Sequence, residues 1–222
     1  MFIRHAIAVG IFTVMMAIAP QSASAAGDDF SEKAEKFIVT LADDAITKLT
    51  DTSITVEEQE RRFSGIIHDY IAFKSIARWV LGGRYWRAAS EEQRDRYLNL
   101  FEKLMISTYA HRFQKYSGET LEIAGVRNID ASQVLVQTTL QRPNAGKPLR
   151  VDWRVRGTED KLKIIDIMVE GLSMAQTQRS EFSSVLRDNG GDVGALLSTL
   201  EERLESARAE RMASTEEATK KP

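Results

Sequence analysis

Phe30, Ala34, Phe37, Ile38, Leu41, Ala45 and Leu49 recur at the three-to-four-residue spacing of one helix face, so the first long pattern predicts an amphipathic helix whose apolar stripe needs a partner. Thr55 and Glu58 form a capping-box pattern ahead of Phe63, Ile66, Ile67, Tyr70 and Ile71, and a second helix is expected there. A third, with Asp69 as its cap, carries Phe73, Ile76, Ala77 and Val80 and stops at Gly82-Gly83, because Gly accepts the left-handed conformation that ends helices. Ser90 and Gln93 repeat the capping box. They open the longest helix, with Tyr97, Leu100, Phe101, Leu104, Met105, Thr108, Phe113 and Tyr116 along one side before Gly118.

After Gly118 the period changes from helical to two, which marks a switch to sheet. Leu121 to Val126 reads as a short strand. Val134, Val136, Thr138 and Leu140 alternate with Leu135, Gln137, Thr139 and Gln141, and the turn from Arg142 to Lys147 returns the chain to Leu149, Val151, Trp153 and Val155, which predicts a hairpin. Arg150, Asp152, Arg154 and Arg156 take the opposite face of its second strand and are expected to meet water. Gly157 to Asp160 turns into Leu162, Ile164, Ile165, Ile167, Met168 and Val169, a run that is apolar on both faces and so predicts a central strand. At Gly171 the strand signal stops and Ser173 offers a helix cap, followed by Met174, Thr177, Phe182, Val185 and Leu186. Asp192 caps a last helix with Val193, Leu196, Leu197, Leu200 and Leu204 as its stripe. Helices, then a four-stranded antiparallel meander, then helices give an α+β fold in one sequence-continuous domain.

The ends change that picture. Arg4 and His5 precede an apolar segment from Ala6 to Ala19, closed by Pro20, and Ala23-Ser24-Ala25 supplies the small residues a signal peptidase reads, so residues 1–25 are expected to be a secretory signal peptide cleaved near Ala25. The apolar run is shorter than the ~20 residues a membrane span needs, and no Cys stands at the cleavage site to carry a lipid anchor. Residues 26–205 then form the folded domain, and 206–222, with Met212 as the only large apolar residue, read as a frayed helix end and disordered tail. The 222 residues contain no Cys, so an exported fold rests on its core rather than on bridges. A net charge of −2 lacks the clustered basic excess that nucleic acid requires.

Candidate chemistry is sparse. His5, His68 and His111 have no metal-ligand spacing, no Ser lies in G-x-S-x-G, and no Lys-Ser/Thr follows Gly82-Gly83, so neither a catalytic residue nor a metal or cofactor is expected. Asp166 and Glu170 share a strand face, where a structural hydrogen bond competes with a carboxylate-pair role. Arg78, Arg84 and Arg87 flank Gly82-Gly83 and suit a lipid phosphate, an acidic partner or plain solvent. The many aromatic residues before the sheet, from Phe63 to Tyr116, either fill a core or wall a cavity.

The order Asp166, Val169-Glu170-Gly171-Leu172-Ser173, Arg179 and Glu181-Phe182 resembles the end of the MlaC/Ttg2D family, periplasmic phospholipid carriers also called toluene-tolerance proteins. Ile76 to Gly82, Tyr85 to Ser90, then Gln93, Phe101, Leu104 and Thr108-Tyr109 resemble the family's Leu-Gly, Trp-Arg and Thr-Tyr pattern, in order, within a span from about Phe30 to Leu204. Leu162 stands where relatives often carry an aromatic. The resemblance implies a curved antiparallel sheet of nuclear-transport-factor-like character, packed against helices around an apolar cavity for acyl chains, with the polar head near the mouth. The residues expected to line it are Ile67, Ile71, Phe73, Val80, Leu104, Met105, Tyr109, Val136, Trp153, Val155, Ile165 and Ile167, with Arg78, Arg84 and Arg87 as head-group or partner contacts. It also implies a monomer in the periplasm that exchanges phospholipid between an outer-membrane lipoprotein complex and an inner-membrane ABC transporter with its substrate-binding membrane protein. An adaptor with a filled core, or a carrier of another lipid such as a hopanoid, are the alternatives.

Overall fold

In the computed structural model, which describes residues 24–143, 146–158 and 161–219, the local start signals act where the sequence places them. The expected signal peptide lies, for residues 1–23, outside the described residues, as do 144, 145, 159 and 160 in the two predicted hairpin turns. Helix α1 spans Ser24–Leu49 and α2 spans Val56–Tyr70. Thr55 Oγ1 accepts the Glu58 N–H at 3.2 Å, but the Glu58 carboxylate turns away to Arg61 and Arg62, so only half of that box forms. Both halves form at α5, Glu91–Tyr109, where Ser90 and Gln93 exchange bonds of 3.1 and 3.0 Å.

The junction between α2 and α3 (Phe73–Leu81) departs from expectation. Asp69 lies inside α2 and caps nothing; Ala72 stands at the cap position of α3 with no side-chain bond. The sheet replaces the cap: Ile71 bridges Ile164, and the Ala72 N–H donates to the Ile164 carbonyl at 2.9 Å. Gly82, at φ 89°, ends α3 as expected, and a further short helix, α4 (Gly83–Ala88), follows at once. Beyond Tyr109 the long helix tightens into a 3-10 segment, Ala110–Lys115, so Phe113 leaves the stripe of α5.

The sheet is a five-stranded antiparallel meander, one strand more than expected, in the order β1 (Thr120–Asp130), β2 (Gln133–Gln141), β3 (Leu149–Thr158), β4 (Lys161–Val169), β5 (Leu172–Ser173). The added strand arises because Glu170 and Gly171, at φ 49° and 81°, make a two-residue hairpin turn instead of releasing the chain into a helix. At Gly157 a Cβ would lie 2.0 Å from the Lys161 carbonyl oxygen, so the β3–β4 connection has room only for glycine there. Strand β4 is fourth in the order rather than central, yet both its edges are paired: β3 lies on one side, and β5 with the Ile71 bridge on the other.

A register shift corrects one predicted face. Val155 pairs with Ile164 and Arg154 with Asp166, leaving Ile165 as the extra residue of a bulge. Ile164, not Ile165, therefore shares the face of Ile167. That face, with Val134, Val136 and Val155, packs against Ala34, Ile38, Leu41 and Ala45 of α1 and against Ile66 and Tyr70 of α2. The other face is drier than its charges predict. Asp152 is only 1% exposed because Arg150 folds over it with bonds of 3.0 and 2.6 Å, and Leu135 is 4% exposed.

Helix α6 (Met174–Asp188) starts directly from β5. Ser173 Oγ donates to Asp166 at 2.6 Å and accepts the Gln176 N–H at 3.0 Å, while the Ala175 N–H reaches the same carboxylate at 3.2 Å. Asp166 is thus a structural acceptor at a helix start. Helix α7 runs from Val193 to Thr219, so the stretch read as a disordered tail is helical as far as 219; it is rich in Ala, Glu and Arg, good helix formers, with no Gly or Pro before Pro222. Leu196, Leu197, Leu200 and Leu204 join Ala77, Val80, Tyr97, Phe101, Phe182 and Leu186 in a second core made only of helices. Two cores result, one between α1, α2 and the sheet and one among α2, α3, α5, α6 and α7, with Phe63 and Ile71 packing on both.

Candidate functional site

The residues expected to line one cavity are divided between these cores. Ile67, Phe73, Val80 and Leu104 lie in the helical core, with Met105 packed against it. Val136 and Val155 lie in the sheet core, with Trp153 and Ile167 at its edge. Trp153 is held in place by its indole N–H, which donates to Thr138 Oγ1 at 3.0 Å, while that hydroxyl donates to the Val151 carbonyl at 2.5 Å. Ile71 touches both cores, and Ile165 belongs to neither.

Leu104, Met105 and Tyr109 do come together. With Thr108 they form one wall of an open cleft of about 530 Å³, whose other walls are Gln178 of α6 and Thr199, Glu202, Arg203, Ser206 and Ala207 of α7. Leu104 is also part of the helical core, so the floor of this cleft is the core itself. Burial pushes the Tyr109 phenol above its usual pKa, and Arg112, stacked 5.2 Å from its ring centre, acts against that shift. Arg203 is held at the cleft by Glu181 of α6 at 3.0 Å. Gln178 Oε1 is buried with no hydrogen-bond donor among the described residues. The walls from α6 and α7 were missed by sequence reasoning, although 199, 203, 206 and 207 fall beside the Leu stripe of the last helix. A second cleft, about 330 Å³, lies between α2, α5 and α7 and includes Arg61, Lys103, Ser107 and Arg208.

Two further contacts tie the layers together. Lys163 of β4 reaches the carbonyls of His68 and Asp69 at 2.8 and 2.6 Å, satisfying the C-terminal end of α2. Tyr70 donates to Asp44 of α1 at 2.8 Å, and burial together with that carboxylate pushes its phenol up to about 12. His68 sits 2.9 Å from Glu102, and Ser64 donates to the same carboxylate at 2.9 Å; both therefore point at the acid, and His68 is not placed to activate the serine. Arg78, Arg84 and Arg87 lie exposed around Gly82, and none of them lines either cleft.

The profile of the MlaC protein family matches residues 30–202. This chain belongs to the MlaC family. Among MlaC-family relatives, the Intermembrane phospholipid transport system binding protein MlaC of Haemophilus influenzae is 23% identical over 126 residues, 55% of this chain and 58% of that protein. The Toluene tolerance protein ttg2D of Pseudomonas putida is 20% identical over 118 residues, 53% of this chain and 54% of that protein. The chain thus aligns with little more than half the length of these curated relatives. A phospholipid-binding protein from Ralstonia solanacearum, solved in complex with a phospholipid, superposes with a TM-score of 0.71 at 26% identity, covering 79% of this chain and 98% of that one. Within the MlaC match the Asp166 to Phe182 block has a structural meaning here: it is the hairpin turn, the cap and the first turns that fasten the sheet to the helical core.

Proposed function

We propose that this MlaC-family chain is a periplasmic carrier that takes up a phospholipid between its two cores and exchanges it between outer-membrane and inner-membrane complexes, so maintaining outer-membrane lipid asymmetry. The observation that carries this reading is the superposition, over nearly all of its length, of a protein solved with phospholipid bound. Residues 1–25 serve as the cleaved signal peptide and the domain from residue 26 as the carrier. The partners are an outer-membrane lipoprotein complex and an inner-membrane ABC transporter with its substrate-binding membrane protein.

The physics of the task supports it. A two-chain lipid crossing water exposes roughly 30 methylene groups at ~0.8 kcal/mol each, a cost on the order of 25 kcal/mol. An apolar enclosure removes most of that cost without any bond being made or broken, so carriage calls for no catalytic group. Val80, Val136 and Val155 have no exposed surface, so acyl chains reach them only when the layers part. Phe63 and Ile71, which pack on both cores, mark the seam. The cleft over Leu104, Met105 and Tyr109 is the entry, because its floor is continuous with the helical core.

The same burial favours a second reading, an adaptor whose core is permanently filled. Organic extraction of the protein purified from periplasm, followed by mass spectrometry, separates them. The carrier yields phospholipid in near-stoichiometric amount, and intact mass shows loss of the first 25 residues; an empty organic phase leaves the adaptor, and a hopanoid replaces phospholipid as the cargo if that is what is extracted.

A further inference from the structure

Between Asp69 and Glu91 the chain carries Lys74, Arg78, Arg84 and Arg87 and not one acidic residue, although its net charge is −2. The fold adds two more guanidinium groups to this segment, from Arg94 of α5 and Arg179 of α6. Arg78 and Arg94 lie 5.9 and 5.6 Å from the ring centre of Trp86, Arg84 lies 5.5 Å from that of Tyr85, and Arg179 lies 4.6 Å from that of Trp79. Arg94 also donates to the carbonyls of Trp86 and Arg87 at 2.8 and 3.3 Å, and Arg179 to the carbonyl of Trp79. Among the described residues none of these five arginines joins a salt bridge, whereas Arg61, Arg62, Arg96, Arg150 and Arg203 each do.

We infer that this surface, at the kink around Gly82, is a docking site for an acidic segment of a partner protein. Guanidinium groups stacked on rings and pinned to carbonyls have already lost much of their rotamer freedom, so a carboxylate that binds them costs little further ordering. Unpaired arginines offer two-pronged donation to carboxylates, and Trp, Tyr and Arg are the side chains that dominate binding energy at protein interfaces. A bilayer fits less well. Entry into the headgroup boundary needs protruding apolar groups, and here only Trp79 is substantially exposed, at 44%, while Tyr85 and Trp86 are half-buried under arginines. The site deepens the carrier reading, on which it rests for the partner's role, but its chemistry stands on these residues alone.

The full mature chain is titrated against a fluorescein-labelled octaglutamate peptide in low salt, with an octaglutamine peptide as control and phosphatidylglycerol vesicles in a parallel sedimentation assay. The expected result is salt-sensitive binding of the acidic peptide alone. The double charge reversal R84E with R87E should weaken it by about tenfold, as loss of steering and paired charge does, while K33E with K36E on α1, an equal change in net charge, leaves it within about twofold. Extracted lipid should match the parent for both pairs, and so should the melt of R84E with R87E, whereas K33E with K36E, which sets Glu against Asp29 and Glu32 one turn away, melts slightly lower. Equal loss in the two double variants, equal binding of octaglutamine, or reversal that abolishes vesicle binding without touching the peptide each overturns the proposal. A parent chain that yields no lipid yet binds octaglutamate through Arg84 and Arg87 defeats the carrier reading and leaves the docking surface standing.

Discussion

Met105→Trp and Val136→Trp test the path of the ligand because they place the same indole in two different surroundings. Met105 is half-buried and faces the cleft of about 530 Å³, so the larger ring enters space that protein atoms do not occupy. Its cost is limited to the difference in helix propensity, below about 0.7 kcal/mol. At ~2–4 °C per kcal/mol for a chain of this size, the melting temperature moves by at most about 3 °C. Val136 is fully buried in the sheet core, paired with Val126 on β1 and Trp153 on β3 and facing α1. An added indole there overpacks a closed interior at about 1–3 kcal/mol or more, a fall of roughly 2–12 °C. If the cleft is the entry to the seam, Met105→Trp loses most of its co-purifying lipid with little change in melting temperature, and Val136→Trp loses lipid and stability together. Differential scanning calorimetry and quantitative lipid extraction on the same preparations read both quantities. A Met105→Trp protein that melts like the parent and carries a full load of lipid would show that the ligand does not pass this cleft.

Acid sensitivity should trace in part to α2. The Glu58 carboxylate is held down to a pKa of about 2 by its hydrogen bonds to Arg61 and Arg62, so its contribution to stability is complete above the usual glutamate range and is lost as pH falls toward 2. Glu58→Gln should therefore lose less melting temperature than the parent between about pH 5 and about pH 2, and parallel curves for the two proteins would refute the assignment. Removal of residues 208–222 takes away no buried residue among those described, the last being Leu204. The truncated protein should melt within about 2 °C of the parent while its helical circular dichroism falls, and a larger drop would mean that the end of α7 packs on the fold.

What was legible in the sequence was local. The capping residues at Thr55, Ser90 and Ser173 and the alternation through Val134, Val136, Val151 and Val155 each concern groups a few residues apart, and the structure reproduces them. What was not legible depends on partners far along the chain. Asp69 looked like a cap because the real arrangement, Ala72 bonded to Ile164 of β4, joins residues far apart along the chain. Ile165 looked like a core residue because alternation assumes one residue opposite one residue, and a bulge breaks that count. Arg94 and Arg179 carry no local sign of their roles; Arg179 meets Trp79 only because α6 packs on α3. Part of the far wall of the cleft was lost for a different reason: Ser206 and Ala207 open a polar, Ala-rich stretch that reads as a tail by composition, and nothing short of the fold places them, or Thr199 and Arg203 beside the Leu stripe, against α5.

The division into two cores bears on how a carrier of this build would work. A single continuous core holding a two-chain ligand would have to lose its own packing over its whole volume to admit or release it. Here the sheet core and the helical core each close on themselves, and the residues that pack on both include Phe63 and Ile71. The chain crosses between the layers at Ile71, at the 3-10 segment Ala110–Lys115 and at Ser173, and two of these crossings are fastened by backbone or capping hydrogen bonds. Parting the layers therefore breaks the contacts of the seam first, and each interior opens only as far as acyl chains must go to reach Val80, Val136 and Val155. Acyl chains that enter replace apolar contacts with apolar contacts, so the open and closed forms differ little in buried hydrocarbon. The bilayer offers the same hydrocarbon environment, and a chain of this design gains little by keeping its cargo. If the chain carries lipid, the direction of transfer must then be set by whatever grips the protein from outside, and the arginine-rich surface at the Gly82 kink, none of whose arginines lines the cleft and whose charge is opposite to that of the chain as a whole, is placed to be gripped.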